Sequence, residues 1–452
     1  MKSNAKTNLL TGPLWRQILL FALPLAATGI LQQLFNAADI AVVGRFVGDE
    51  AMAAVGSTTP LINLFVNIFI GISIGANVVI SQYIGKKDPK KIHAAVHTAL
   101  VISFASGVLV AVLGWTFVEP MLRFMDTPEN VFPLSKTYLL WYFAGIPFMM
   151  LYDFESAIFR SIGDTRTPLL ALVFGGALNV ALNLFFVLVF GLGVAGVAAS
   201  TLIAGVVCSA ILFVKLRKSH LPIHLEYSRL HIDWKIFAKI CKIGIPAGIQ
   251  SLVYSFSNVC MQGGINSLGS DAMAGSAAGF NIEIFEYFVI NAFGQAAVTF
   301  IGQNYGAHNL KRCREIVAQC LLLDLFFCSA VGIPLALFGE KILCLFTTSD
   351  AVITYGFIRI GFVVAFEALN ALVEVFSGAS RGYGNSFSPA LFCVIGICGV
   401  RLLWLYTVFP HFSTFDSLMM VYPISWGVAA FFVILCYLRT RNRAFRLGKT
   451  TR

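Results

Sequence analysis

The chain has 452 residues, of which 58% are hydrophobic and only 12% are charged, and its mean hydropathy is +0.81. This composition lies far from that of soluble globular domains and excludes that class. The net charge of +10 is weak evidence for nucleic-acid binding, because basic loops also orient membrane proteins. We therefore expect a protein that crosses a membrane many times, with no nucleic-acid partner.

Long apolar runs predict the secondary structure. A membrane-spanning helix needs about 20 apolar residues, so the chain has room for about twelve. The short alternating segments typical of a membrane β-barrel are missing from the sequence. The prediction is an all-α polytopic membrane protein whose twelve transmembrane helices lie near residues 14–37, 54–83, 93–118, 134–159, 167–190, 194–215, 235–262, 273–301, 313–338, 353–379, 388–409 and 418–438.

The chain repeats itself once over its whole length. Residues 160–168 return as residues 381–389 with the Arg, Gly, Pro and small hydroxyl positions matched, and residues 47–53 return as 268–274 at the same offset. Such a repeat predicts two pseudo-symmetric six-helix lobes, which we place at 1–220 (helices 1–6) and 221–452 (helices 7–12) around the polar stretch 216–234. A site between two such lobes is the natural place for transport.

The basic residues predict the orientation in the membrane. When loops are assigned alternately to the two sides, most of the 32 Lys and Arg fall on the side of both termini. The positive-inside rule therefore predicts cytoplasmic termini in a multi-pass protein of the cell membrane, with lipids as partners.

Polar residues recur at helical spacing in the first half. Gln32, Asn36 and Asp39 share one face of the first predicted helix, and that stripe can hold a proton or a cation or can simply hydrogen-bond neighbouring helices. Asn179 and Asn183 share a face of the fifth helix, where such residues are more often packing contacts than a site. The Thr201 hydroxyl in the sixth helix can bond back to its own helix.

The second half carries mainly acids. Glu283 and Glu286 are neighbours on the eighth helix, and two close carboxylates make a proton carrier plausible. The tenth helix has a polar stripe that includes Glu367, Asn370 and Glu374, and Arg401 in the eleventh helix is the expected counter-ion, either for structure or for coupling.

The repeat relates two of these acids. Asp153 in the fourth helix is equivalent to Glu374 in the tenth, so both lobes would offer an acid to a shared central cavity. Walker A, HExxH and GxSxG motifs are absent, and we expect no enzyme, no cofactor and no resident metal beyond a transient Na⁺ at Asp39.

Together these features resemble the multidrug and toxic compound extrusion (MATE) family over nearly the entire chain. The resemblance rests on the two six-helix repeats, the turns 160–168 and 381–389, the segment around Asp39 and Gly44, and residues 422–426. It implies a V-shaped pair of lobes that exports drug-like compounds in exchange for protons or sodium ions. It also implies a helix-1 kink at Pro24, the expected hinge.

The resemblance further implies a cation pocket in the first lobe. The positions that match the family's pocket are Asp39, Asp153, Asn179, Asn183 and Thr201, and Asn36 adjoins them. Here the fourth helix has Asp where Asn is usual, and the fifth has Asn183 where Asp is usual. We hypothesise that the second carboxylate has moved from the fifth helix to Asp153.

The sequence therefore predicts a monomeric secondary transporter that exports organic cations by proton- or sodium-coupled antiport with alternating access. The expected coupling ion is H⁺ or Na⁺. The alternative is a lipid-linked oligosaccharide flippase, whose cavity would need arginines for pyrophosphate, whereas the central parts of the predicted helices hold mainly acids and only two arginines, Arg359 and Arg401.

Overall fold

The computed structural model describes residues 9–125, 127–219, 223–226, 230–344 and 347–450, with the side chains of all but 59–61, 63–65, 336 and 447–450. No strand occurs in these ranges, which confirms the all-α prediction. The twelve helical segments are α1 Leu14–Phe46, α2 Asp49–Gly85, α3 Pro89–Phe124, α4 Phe132–Ser161, α5 Arg166–Leu188, α6 Gly193–Arg217, α7 Trp234–Asn266, α8 Ser270–Gly306, α9 Leu310–Leu343, α10 Asp350–Gly382, α11 Phe387–Thr407 and α12 Phe415–Thr450.

Eleven of the described helices are long and apolar enough to cross a membrane. The remaining one, α4, contains three tyrosines and four charged residues, which lower its hydropathy. Several helices extend past the predicted apolar runs, since polar residues continue a helix readily once it has left the hydrocarbon. For example, α1 ends at Phe46 and α12 continues to Thr450.

Two helices of the second half are interrupted. In α10, a 3₁₀ turn at Val364–Phe366 separates Asp350–Val363 from Glu367–Gly382. In α11, a π-helical turn at Val394–Gly399 precedes Val400–Thr407. Such interruptions are frequent at functional sites, and these two lie directly before Glu367 and just before Arg401.

The chain forms two compact units. The N-unit is Ala27–Gly248, and the C-unit combines Met1–Ala26 with Ile249–Arg452. These limits differ from the predicted lobes 1–220 and 221–452, because they fall inside α1 and α7 just after Pro24 and Pro246. Helix α1 runs through Pro24 without a break in its helical assignment, and the hinge there stays a prediction.

Packing explains why the limits lie inside helices. The first half of α1 buries Leu14, Ile18 and Phe21 in the apolar core of the C-unit, and the Phe21 ring meets the Phe300 ring edge-on at 5.5 Å. Side chains thus assign the first half of α1 to the unit formed mainly by the second repeat, which a sequence repeat alone does not reveal.

The repeated glycines set equivalent backbone turns. Gly163 and Gly384 have φ values of +87° and +92°, and their amides donate to the carbonyls of Arg160 and Arg381. This left-handed conformation favours glycine, so the repeat conserves the turn that ends α4 and α10. After the first turn, the Asp164 carboxylate accepts from backbone amides at the start of α5.

Glycine also permits the close approach of α2 and α7 within the N-unit. A Cβ atom added at Gly71 would overlap the backbone of Gly248 and lie 2.8 Å from the Gly244 carbonyl oxygen. The two helices therefore meet backbone to backbone, which fixes the start of α7 on the N-unit.

We predict that Gly71→Ala destabilises the protein by about 1–3 kcal/mol, because the added methyl group must separate the two helices. Gly56→Ala is the matched control, since it lies in the same helix and its Cβ would meet no atom within 4 Å. Thermal unfolding of the purified protein in detergent compares the two. Equal midpoints for both variants would contradict the prediction.

Candidate functional site

Four of the predicted pocket residues form one hydrogen-bonded cluster in the N-unit, which we call the amide–acid cluster. The Asn183 Nδ2 atom donates to Asp39 Oδ1 at 2.5 Å and to Asn179 Oδ1 at 3.3 Å. The Asn179 Nδ2 atom donates to Thr201 Oγ1 at 3.3 Å, and the Thr201 hydroxyl lies 3.3 Å from Asp39 Oδ2. Helices α1, α5 and α6 thus converge on one carboxyl group.

The cluster is buried and has spare oxygen atoms. Asp39 and Asn179 are buried, and Asn183 is 0% exposed. The Asn183 Oδ1 atom has no hydrogen-bond partner, and no ion pair within the described ranges includes Asp39. A buried carboxyl group beside an unpaired amide oxygen is a suitable place for a proton or a small cation, since both supply the missing positive charge.

Asn36 and Asp153 are not joined to the cluster by hydrogen bonds in the part of the chain that is described. Asn36 is exposed on α1. Asp153 is half-buried on α4, where Arg160 interacts with it electrostatically from two turns further along the helix. Tyr142 lies within electrostatic range of both Asp153 and Asp39, so the two carboxyl groups belong to the same region of the N-unit.

The C-unit repeats the Asp153–Arg160 arrangement. Glu374 on α10 is buried, and Arg381 interacts with it electrostatically at the same spacing. The Arg381 guanidinium also donates to Gln250 Oε1 at 2.8 Å. Equivalent acids in both repeats therefore have equivalent arginines.

The two arginines of the C-unit spans have different partners, and the role of Arg401 as counter-ion of the tenth-helix acids stays a prediction, since it interacts electrostatically with Glu367. Glu283 pairs with Arg359, whose Nε lies 2.9 Å from Glu283 Oε2 and whose second bond to the carboxylate measures 2.5 Å. Arg401 instead binds neutral groups, Asn258 Oδ1 at 3.0 Å and Ser425 Oγ at 3.3 Å, and it makes no ion pair with an acid in the described ranges. The sequence shows that Arg359 and Arg401 lie inside membrane helices, but their partners depend on how the helices pack.

Tyr422 lies against both arginines. Its ring centroid is 4.2 Å from the Arg401 guanidinium carbon and 5.7 Å from that of Arg359. Both cations therefore gain attraction from one aromatic face. Sequence patterns gave no reason to place Tyr422 at the site, apart from its position in the segment 422–426 that carries the family resemblance.

Several acids of the C-unit make no ion pair within the described ranges. Both Glu286 carboxylate oxygens are buried and lack hydrogen bonds, and Asp324 Oδ2 does too. Glu367 accepts a bond of 2.9 Å from Asn370. Arg359 already neutralises Glu283. The expected pair of adjacent carboxylates therefore consists of Glu283, which has a cation, and Glu286, which makes no ion pair in the described ranges. The candidate set also omitted Asp324, which lies close enough to Glu367 for electrostatic interaction.

Comparisons with known proteins agree with this architecture. A model of the MatE family matches residues 24–185 and 246–407, two segments that begin at Pro24 and Pro246. The chain belongs to the MATE family. Both matched segments cover the repeat described above, so the internal repeat is a property of this family's fold.

Related MATE proteins are similar over almost their whole length. The probable multidrug resistance protein YoeA of Bacillus subtilis is 28% identical over 92% of this chain and 91% of its own. An FAD transporter of Shewanella oneidensis is 26% identical over 94% and 95%. A crystal structure of MATE in the bent conformation has a TM-score of 0.89 at 22% identity, with 99% of each chain covered, and shows the same fold. The protein is thus a multi-span member of a transporter family.

We predict that Arg359→Met destabilises this MATE protein by about 3–5 kcal/mol, because it leaves the buried Glu283 carboxylate without its cation. Adding Glu283→Leu should restore much of the loss. Arg401→Met is the control, since it also removes a guanidinium from Tyr422 but breaks no ion pair with an acid in the described ranges. Thermal unfolding in detergent measures all three, and equal losses for the two single variants would refute the assignment.

Proposed function

We propose that this protein exports organic cations by cation-coupled antiport, with Asp39 as the principal coupling residue. The main support for this proposal is the buried Asn183 Oδ1 atom, which has no hydrogen-bond partner and lies beside a carboxyl group that has only neutral donors. A proton on Asp39 could donate to a neighbouring oxygen. A sodium ion could be held by the carboxylate, amide and hydroxyl oxygens of the same cluster.

The proposed mechanism depends on whether a proton or a cation occupies Asp39 in this cluster. When Asp39 is occupied, its charge is compensated and its bonds to Asn183 and Thr201 must rearrange. Those bonds join α1 to α5 and α6. Occupancy therefore biases the conformation of the N-unit helices, and binding can drive a change only through such a difference in affinity between states.

The charges of the C-unit favour cationic substrates. Glu286, Asp324 and Glu367 have no ion pair in the described ranges, whereas Glu283 is neutralised. Excess buried negative charge attracts cations and opposes anions. The names of relatives, which include multidrug resistance proteins, favour drug export over an oligosaccharide flippase.

We predict that efflux from proteoliposomes follows one imposed gradient, of protons or of sodium ions, and that Asp39→Asn lowers it to the level of empty liposomes. The amide keeps the shape of Asp39 but removes the charge that binds the ion. Efflux of a fluorescent organic cation is the measurement, with FAD as an anionic comparison because one relative is named as its transporter.

Asp49→Asn is the control, since Asp49 is an exposed acid in the first turn of α2. Wild-type efflux by Asp39→Asn under either gradient would show that the coupling assignment is wrong. Faster transport of FAD than of the cation would overturn the substrate assignment alone.

The hypothesis that the second acid has moved to α4 makes a separate prediction. Asp153→Asn should cripple gradient-driven efflux, and adding Asn183→Asp should partly restore it by returning a carboxylate to α5. That carboxylate would stand next to Asp39, where two acids can share one proton. Initial efflux rates of the single and double variants, at matched protein content, test this, and failure of the double variant to improve on Asp153→Asn would count against relocation.

A further inference from the structure

Three lysines converge on one tyrosine at an end of the N-unit. The Tyr83 ring has the ammonium nitrogens of Lys239, Lys91 and Lys86 at 5.5, 5.9 and 6.0 Å from its centroid. The Lys239 Nζ atom also donates to the Tyr83 hydroxyl at 3.0 Å. The tyrosine is buried while the lysines are exposed, and they come from the ends of α2, α3 and α7.

The charge of this cluster is poorly balanced. Among the described residues, the carboxylate that pairs with a lysine of this cluster is Asp88, whose Oδ2 lies 3.4 Å from Lys91 Nζ. The other oxygen, Oδ1, already accepts from the Lys91 amide as the cap of α3, and that bond lowers the pKa of the Asp88 carboxyl. Asp88 therefore supplies one negative charge against three positive ones. Within the described ranges, Lys86 and Lys239 have no carboxylate partner.

Membrane topology alone does not explain this arrangement. The positive-inside rule requires lysines on one side of the membrane but does not require that they meet. Long exposed lysine side chains can move apart freely, and like charges gathered around one ring repel each other. The fold therefore brings the three lysines to the Tyr83 ring, because Lys239 lies far from Tyr83 in the sequence and still contacts it.

The repeat shows what fills the equivalent place in the C-unit. At the offset of 221 residues Lys91 corresponds to Arg312, and at the offset of 222 that relates Pro24 to Pro246 Lys239 corresponds to Gln17. There, Arg312 donates to the backbone oxygens of Leu9 and Gly12 at 3.3 and 2.9 Å, and to Gln17 Oε1 at 3.2 Å. The chain itself supplies three oxygen acceptors in the C-unit.

In the N-unit, the corresponding cations have fewer acceptors from the chain. Among the described residues, Lys91 has Asp88 alone and Lys239 has the Tyr83 hydroxyl. Among the described residues, three positive charges stand against the one carboxylate of Asp88, and this surplus indicates an external anion. A phosphate group fits, because its oxygens can accept from several ammonium groups at once.

The depth of the cluster identifies the source of that phosphate. Helix α2 ends at Gly85 and α3 begins at Pro89, so the lysines lie where apolar helices leave the hydrocarbon. Trp234 begins α7 and is 69% exposed, in edge contact with Phe237. Exposed tryptophan is typical of the membrane–water interface.

We propose that the cluster of Tyr83, Lys86, Lys91 and Lys239 binds the phosphate of an anionic phospholipid. The lysines would surround the headgroup, while the Tyr83 hydroxyl positions Lys239. This site is separate from the amide–acid cluster, and it does not depend on the coupling mechanism proposed above.

The test compares charge-matched variants. Lys86→Gln/Lys91→Gln/Lys239→Gln removes the cluster, whereas Lys215→Gln/Lys235→Gln/Lys242→Gln removes the same charge from exposed positions of the same unit. Native mass spectrometry counts phosphatidylglycerol retained by each purified protein against phosphatidylcholine. Unfolding midpoints are measured in nanodiscs of phosphatidylcholine with and without phosphatidylglycerol.

We expect wild type and the control variant to retain phosphatidylglycerol and to be stabilised by it, and the cluster variant to lose both. Tyr83→Phe, which changes no charge, should weaken retention about three- to tenfold by freeing Lys239. Equal loss in the control would show that net charge alone attracts the lipid. Equal stabilisation by inorganic phosphate would show that the site takes a free anion; either result would overturn the proposal.

Discussion

The 2.5 Å hydrogen bond between Asn183 and Asp39 joins α5 to α1 inside the N-unit, where both side chains are buried. A carboxylate removed from water costs several kcal/mol unless a cation or donors compensate it. Here the donors are an amide and a hydroxyl on other helices, so α1, α5 and α6 are held in one arrangement. In the mechanism proposed above, the ion or proton bound at Asp39 would therefore act on the packing of three helices.

The two repeats share their backbone more fully than their chemistry. Glycines with positive φ occur at equivalent turns, Gly48 with Gly269 and Gly163 with Gly384, because these turns require a conformation that side chains disfavour. No such constraint acts on the polar residues. One unit could therefore develop an amide–acid cluster around Asp39, while the other collected acids around Glu367.

The same difference between shared backbone and unshared side-chain chemistry explains which features could be predicted from the sequence. Helical spacing, together with the family resemblance, brought Asp39, Asn179 and Asn183 together correctly, because residues four apart share a helix face. It did not pair Glu283 with Arg359, since contacts between distant helices depend on packing and leave no periodic signal. For the same reason the sequence placed the unit limits at the polar connector, although packing of α1 and α7 sets them.

The arginines distinguish the two acids of the N-unit. A cation bound at Asp153 would share its surroundings with the positive Arg160, whereas a cation bound at Asp39 meets neutral donors only. Repulsion weakens binding at the first position and is missing at the second. Glu374 and Arg381 reproduce this balance in the C-unit. The repeated acid–arginine pairs are thus equivalent positions of the two repeats, whereas Asp39 has no acid at its equivalent position in the second repeat. In the mechanism proposed above, that asymmetry would give coupling its direction.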